Sequence, residues 1–202
     1  MTSQITDDAA ATDPAPGTSK ASARDRLLAA ANELFYAEGV HSVGIDRIIE
    51  HAGVAKASLY NTYGSKDELV AAYLRTRHAK QEDRINRAVE RHRSPRKRLL
   101  AVFDAQAELF ADPGFHGCAF ANATAESHDS RADETAADYR SWLRSLLTDL
   151  GADAGARNPE ALGRQLHLLY DGASNSARMD RDGQAAVAAR SAAETLLDAA
   201  ID

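Results

Sequence analysis

From Ser22 almost to the C-terminus, large apolar residues return every three or four positions, and each run stops at a glycine or at a turn containing proline. That period belongs to amphipathic helices, because a strand would repeat every two residues. Leu27, Ala31, Leu34 and Phe35 fall at i, i+4, i+7 and i+8 and Gly39 follows, which predicts a helix over 22–38. Ile45, Ile48, Ile49 and Ala52 predict a short second helix closed by Gly53, whose missing Cβ suits a left-handed turn. A third helix, over 55–62, points Leu59 inward and closes at Tyr63-Gly64. Ser65 then caps a long helix over 65–91, with Asp67 and Glu68 in the first turn, where carboxylates meet the positive end of the dipole. Its stripe of Leu69, Val70, Tyr73 and Leu74 resumes at Ile85 and Val89. Arg77, His78 and Gln81 interrupt the stripe, as expected where a helix leaves one small core and enters another.

The remainder continues in the same period. Ser94-Pro95 opens a helix carrying Leu99, Phe103, Ala107 and Phe110, which Asp112-Pro113-Gly114 stops. A short segment near 119–128 precedes an amphipathic run of Tyr139, Trp142, Leu143, Leu146, Leu147 and Leu150, with Gly151 as its expected end. Asn158-Pro159 begins a helix over 158–177 with Leu162, Leu166, Leu169, Tyr170 and Ala173. The last, over 184–200, carries Val187, Ser191, Leu197 and Ile201. About nine helices and no strand predict an all-α fold, and an aromatic content of 6% agrees with close-packed helices.

A single Cys allows neither an intramolecular disulfide nor a cysteine-rich zinc module. No apolar run approaches the roughly 18–20 residues of a membrane span, and the acidic start lacks the basic and apolar regions of a signal peptide. A cytoplasmic protein with no membrane partner and no cofactor is expected. Residues 1–20, rich in Ala, Thr, Asp, Pro, Ser and Gly, are expected to form a disordered tail. The net charge of −6 is unevenly spread: residues 1–19 carry −3, residues 20–98 carry +6 and residues 99–202 carry −9. Such asymmetry points to a basic part that faces a polyanion, attached to an acidic part with another task.

Two short helices joined by a tight turn behind a supporting helix make a helix-turn-helix pattern. Residues 24–74 carry, in order, an opening helix ending in Leu34-Phe35, the Glu38-Gly39 turn, the Ala52-Gly53-Val54 turn, Lys56-x-Ser58-Leu59-Tyr60, and Ser65-Lys66-x-Glu68-Leu69. This ordered set resembles the N-terminal DNA-binding domain of the TetR/AcrR family of bacterial transcription regulators. The stretch from Gly114 to Glu126 is similar to one that recurs in an actinobacterial-type subgroup of that family. The resemblance implies a helix-turn-helix domain over 21–80 and a ligand-binding and dimerisation domain over 81–202. It further implies a homodimer that binds a palindromic double-stranded DNA operator and answers to a small-molecule effector.

By the same resemblance Lys56, Ala57, Ser58, Asn61 and Thr62 face the major groove, Tyr60 and Lys66 hold phosphates, and Arg47 adds another phosphate contact. Small Ala57 suits close approach to a thymine methyl, while Ser58 and Asn61 can read donors and acceptors. Several positions depart from the family pattern: Ala55 stands where a capping Ser is frequent, Ile49 where a small residue is usual, Thr62 for a frequent His and Gly44 for a frequent Thr. The basic run of Arg91, Arg93, Arg96, Lys97 and Arg98 is expected to be a solvated face away from the duplex. Candidate effector contacts are residues with a polar tip on an apolar face, namely Asn122, Glu126, Tyr139, Trp142, His167, Tyr170 and Asn175, with Phe103, Phe110 and Phe120 as walls. His116-x-Cys118 offers two metal ligands without a third nearby. Glu126, His128 and His167 could serve an enzyme as acid or base, but no second catalytic group stands at a spacing that forces proximity, so a regulator is expected rather than an enzyme. A repressor is the first expectation, and an activator or ligand-independent regulator on the same fold stays open.

Overall fold

The computed structural model describes residues 21–126, 130–181 and 183–201. Among them stand nine helices and no strand: α1 (Ala23–Glu38), α2 (Ile45–Ala52), α3 (Lys56–Tyr63), α4 (Lys66–Glu90), α5 (Pro95–Phe110), α6 (Ala119–Glu126), α7 (Ser130–Asp153), α8 (Pro159–Asp180) and α9 (Gln184–Ile201). The expected tail over 1–20 and the candidate His128 lie outside the described residues.

The N-terminal head is built by α1, α2, α3 and the first turns of α4. Ser22 and Asp25 cap α1 reciprocally, the Asp25 amide donating to Ser22 Oγ at 3.1 Å and the Ser22 amide to the Asp25 carboxylate at 3.3 Å. Ser65 accepts from the Glu68 amide and caps α4. The two helices between them begin without a side-chain cap, α2 at Gly44 and α3 at Ala55. Packing therefore does for them what capping does for their neighbours. Leu27, Ile48, Leu59 and Leu69 are fully buried, each contributing about 1.5–3 kcal/mol by leaving water. Phe35 meets Tyr73 edge-on at 5.6 Å, tying α1 to α4.

Helix α4 carries the chain out of the head. It is continuously buried over 69–74, buried again at Ile85, Ala88 and Val89, and half-buried or exposed over 75–84. The interruption at Arg77, His78 and Gln81 thus marks the passage between two packed regions of one connected apolar core.

The C-terminal body is formed by α5 to α9 around the second half of α4. Helices α7 and α8 approach closely: a Cβ at Gly163 would lie 2.3 Å from Thr148 Oγ1 and 3.1 Å from the Thr148 backbone nitrogen. Gly151 does not end α7, contrary to expectation. It is buried inside the helix, where a Cβ would meet Leu162 Cδ2 at 3.2 Å, and the positive-φ residue that follows the helix is Gly155 at φ 89°. The stripe expected on α9 also divides. Ala186, Ala189, Ala193 and Leu197 face the core, whereas Val187, Ser191 and Ile201 face outward. At such close helix spacing alanine supplies the core face, so counting only large apolar residues picks the wrong side.

The basic run over 91–98 lies at the surface, exposed or half-buried, and three of its five cations pair with acids of the body. Arg96 reaches across from α5 to Glu194 at 2.8 Å and Asp198 at 3.0 Å on α9, Arg98 pairs with Asp153 at 3.0 Å, and Arg91 stands 3.4 Å from Glu108. Hydrogen bonds from Arg96 lower the Asp198 carboxyl below its usual range.

Candidate nucleic-acid interface and helical cavity

Helix α3 is held against the head by the fully buried Leu59 and by Tyr63, which packs partly buried against the core and donates to the Arg24 carbonyl at 3.2 Å. Lys56, Ala57, Tyr60 and Asn61 are exposed, and Ser58 and Thr62 are half-buried at the edges of that face. Spacing of three and four along eight residues sets Ala57, Tyr60 and Asn61 side by side. Gly53, in the left-handed conformation at φ 60° and ψ 44°, turns the chain from α2 into α3. Lys56 donates to Asp46 of α2 at 2.8 Å, a bond that raises its pKa above the usual lysine value.

Lys66 stands in the first turn of α4, with its ammonium 6.0 Å from the centre of the Phe35 ring, and burial lowers its pKa. It shares that turn, beside α3, with the carboxylates of Asp67 and Glu68, and the Glu68 amide is already bonded to Ser65 Oγ. Arg47 is placed differently from the other cations: both of its terminal nitrogens bond Glu38, Nη2 to Oε1 at 2.7 Å. A phosphate contact from Arg47 requires that pair to open. Of the eight residues named for the interface, seven thus lie along α3 and the start of α4, and Arg47 faces α1.

The body holds a cavity in two adjoining parts, which share wall residues, between α4, α6, α7 and α8. The outer part, of about 720 Å³, is bordered by Asn122, Thr124, Arg140, Asp171, Asn175 and Arg178. The inner part, of about 70 Å³, is bordered by Arg77, Lys80, Gln81, Arg84 and Tyr170. Cys118, Phe120, Tyr139, Asp171 and Ser174 belong to both. Phe120 lies flat on Tyr139, with ring centres 4.0 Å apart and planes 5° from parallel. His78 stands edge-on to Tyr139 at 5.4 Å and tilted to Trp142 at 5.4 Å. Gln81 donates to the Tyr170 hydroxyl at 2.9 Å and accepts from Arg84 at 3.2 Å. Burial pushes the Tyr170 hydroxyl up to about 12 and raises the Cys118 thiol, so both groups keep their protons near neutral pH.

The residues named as effector contacts divide among several places. Phe120, Asn122, Tyr139, Tyr170 and Asn175 border the cavity. Phe103 is fully buried in the core, edge-on to Tyr170 at 6.1 Å, and Trp142 backs the cavity through His78 and Tyr139. His167 is buried beside Arg144, whose Nε donates to Nδ1 at 3.4 Å, leaving the proton of the neutral ring on Nε2, 3.7 Å from Asp171. Phe110 and Glu126 border a second cleft, of about 790 Å³, between head and body. There Glu126 accepts the His41 amide at 3.2 Å, and its carboxylate occupies the space a Cβ on Gly39 would need, 2.5 Å away. The cations of α4, with Arg140 and Asp171, were absent from the sequence-based set. The signal for the α4 cations was the break in the stripe at Arg77 and Gln81, which reads equally well as a helix passing between cores.

Comparison with known proteins agrees with this arrangement. Residues 27–73 match the family described as "Bacterial regulatory proteins, tetR family", a span running from Leu27 on α1 to Tyr73 on α4. The crystal structure of a TetR-family transcriptional regulator from Streptomyces coelicolor superposes with a TM-score of 0.84 and 33% identity, covering 89% of this chain and 96% of that one. The HTH-type transcriptional activator FasR of Mycolicibacterium smegmatis is 37% identical over 82 residues, which are 41% of this chain but only 37% of FasR. The HTH-type transcriptional repressor NemR of Escherichia coli is 27% identical over 155 residues, 72% of this chain and 71% of NemR. With its exposed third helix, its nine-helix architecture and a likeness to the Streptomyces regulator over nearly its whole length, the chain belongs to the TetR family of bacterial regulatory proteins.

Proposed function

We propose that the protein is a sequence-specific transcriptional repressor that binds a palindromic operator as a homodimer and releases it when a small molecule fills the helical cavity. The exposed face of α3 carries this reading: Ala57, Tyr60 and Asn61 stand clear of the head while Leu59 anchors it. Such a face enters the major groove, where base edges differ, and Lys66 at the start of α4 grips the adjacent phosphate. Asn61→Ala is expected to relax base preference at one position in each half-site, at a cost of about 1–3 kcal/mol, measured by competition between operator variants.

A second copy is the occupant proposed for the outer faces of α8 and α9. Leu168, Met179 and Val187 are 72%, 73% and 62% exposed, an unusual degree for large apolar side chains. Leu168, Gly172, Ser176 and Met179 share one stripe of α8, and Val187, Ser191 and Thr195 one stripe of α9. Two such helix pairs, one from each copy, close into a four-helix interface. The relatives include both an activator and a repressor. A reporter on the neighbouring promoter decides between them: expression rises on loss of a repressor and falls on loss of an activator.

A further inference from the structure

The inner part of the cavity differs from the rest of the body in its charge. Arg77, Lys80 and Arg84 follow one another at i, i+3 and i+7 on α4, so all three meet on the face that borders the chamber. None of them forms an ion pair with a described carboxylate; Lys80 is exposed, and Arg77 and Arg84 are half-buried. The one carboxylate on the chamber wall, Asp171, is already held by Arg140 at 2.7 Å. Arg77 Nε is buried with no hydrogen-bond partner, a state that costs free energy until an acceptor arrives. The amide of Gln81 is committed on both sides, to Tyr170 and to Arg84. The chamber thus presents donors and three positive charges against one carboxylate that is already paired.

We propose that this chamber is an anion-binding subsite and that the effector is an organic acid, its carboxylate facing Arg77, Lys80 and Arg84 and its apolar body lying along Phe120 and Tyr139 into the outer chamber. The sizes fit that division. About 70 Å³ accommodates a carboxylate, given that water takes roughly 30 Å³ in the liquid, and about 720 Å³ lies within the usual range for small-molecule pockets. Arg77 also ties the subsite to the head. Its Nη2 donates to the Asn32 carbonyl of α1 at 3.1 Å, and its guanidinium lies 3.7 Å from the centre of the Tyr36 ring. An anion that draws Arg77 inward competes with its hold on α1, which gives the bound and free states different head positions.

This inference rests on the reading of the chain as a ligand-responsive regulator, and its test separates the two. The single tryptophan, Trp142, reports on the cavity through Tyr139, 6.0 Å away. Full-length protein is titrated with 4-phenylbutyrate and octanoate and with their primary amides, following Trp142 emission, with calorimetry as a check. The aromatic and aliphatic pairs distinguish the two kinds of apolar body. At least one acid is expected to bind about tenfold or more tighter than its amide, and in a Lys80→Gln/Arg84→Gln variant of unchanged helicity the preference is expected to disappear. Equal or tighter binding of both amides, a preference that survives in the variant, or no saturable response to either acid at millimolar concentration overturns the proposal. If the protein selects and binds an operator yet shows no acid preference, the subsite is wrong and the regulator reading stands. If the acids bind as expected but no duplex is selected, the regulator reading fails instead.

Discussion

Gly39 illustrates how much a single position settles in this chain. Its φ of 90° and ψ of 153° fall in a region that side-chain-bearing residues avoid, and the Glu126 carboxylate fills the space where a Cβ would stand. Gly39→Ala is expected to lower stability by about 1–3 kcal/mol, chiefly through backbone strain because the Glu126 tip can move aside, and thermal denaturation measures it. His167 sets a pH limit. Burial lowers its pKa below the ordinary 6.5 and outweighs the opposing pull of Asp171, so the folded chain binds fewer protons than the unfolded one. The stability from this group is complete above pH 6.5 and is lost as pH falls from there through the folded value. His167→Gln is expected to flatten that part of the acid slope in a series of melting temperatures between about pH 8 and pH 5. Among the glycines, the sequence told Gly39 and Gly53 correctly as turn residues and mistook Gly151 for one. A glycine required by a left-handed turn and a glycine crowded by a leucine from another helix look alike until the partner helix is placed.

At the scale of the element, the two helices of the reading motif start without side-chain caps, which makes one of them improvable. Ala55→Ser supplies a hydroxyl at an extended N-cap of φ −73° and ψ 150°, and is expected to raise stability by about 0.5–1 kcal/mol in chemical denaturation. Gly163→Ala works the other way. The backbone of Thr148 lies too close to yield, so α7 and α8 must separate, at an expected cost of about 1–3 kcal/mol. Existence and order of the nine helices were legible because their period and punctuation are strong. The inward face of α9 was not, because its core contacts are alanines whose burial depends on how closely α5 and α8 approach. The charged wall of the cavity was hidden for a related reason. Arg77, Lys80 and Arg84 read as a polar break in a long helix until α6, α7 and α8 are placed beside them.

Over the whole molecule, the charge of +6 over 20–98 is not a property of the head: residues 20–74 sum to −1, and residues 75–98, on the later part of α4 and the run that follows it, sum to +7. Three cations of the run over 91–98 are paired with acids of the body, so the proposed phosphate contacts rest on where single cations such as Lys66 stand and not on a net positive head. A two-fold dimer through α8 and α9 requires two heads and therefore two inverted half-sites. Replacing Leu168 and Met179 by Glu is expected to yield a folded monomer with much weaker operator binding, checked by light scattering and a binding titration. The central claim is that α3 and the start of α4 read DNA, and selection of bound sequences from random duplexes, followed by salt titration of Tyr60→Ala and Lys66→Ala on the selected site, tests it most directly. An enriched inverted repeat, weaker binding by both variants and a salt slope reduced by about 1 for the lost Lys66 contact are expected. No enriched sequence, or an enriched site that both variants bind with unchanged affinity and salt slope, would contradict the claim.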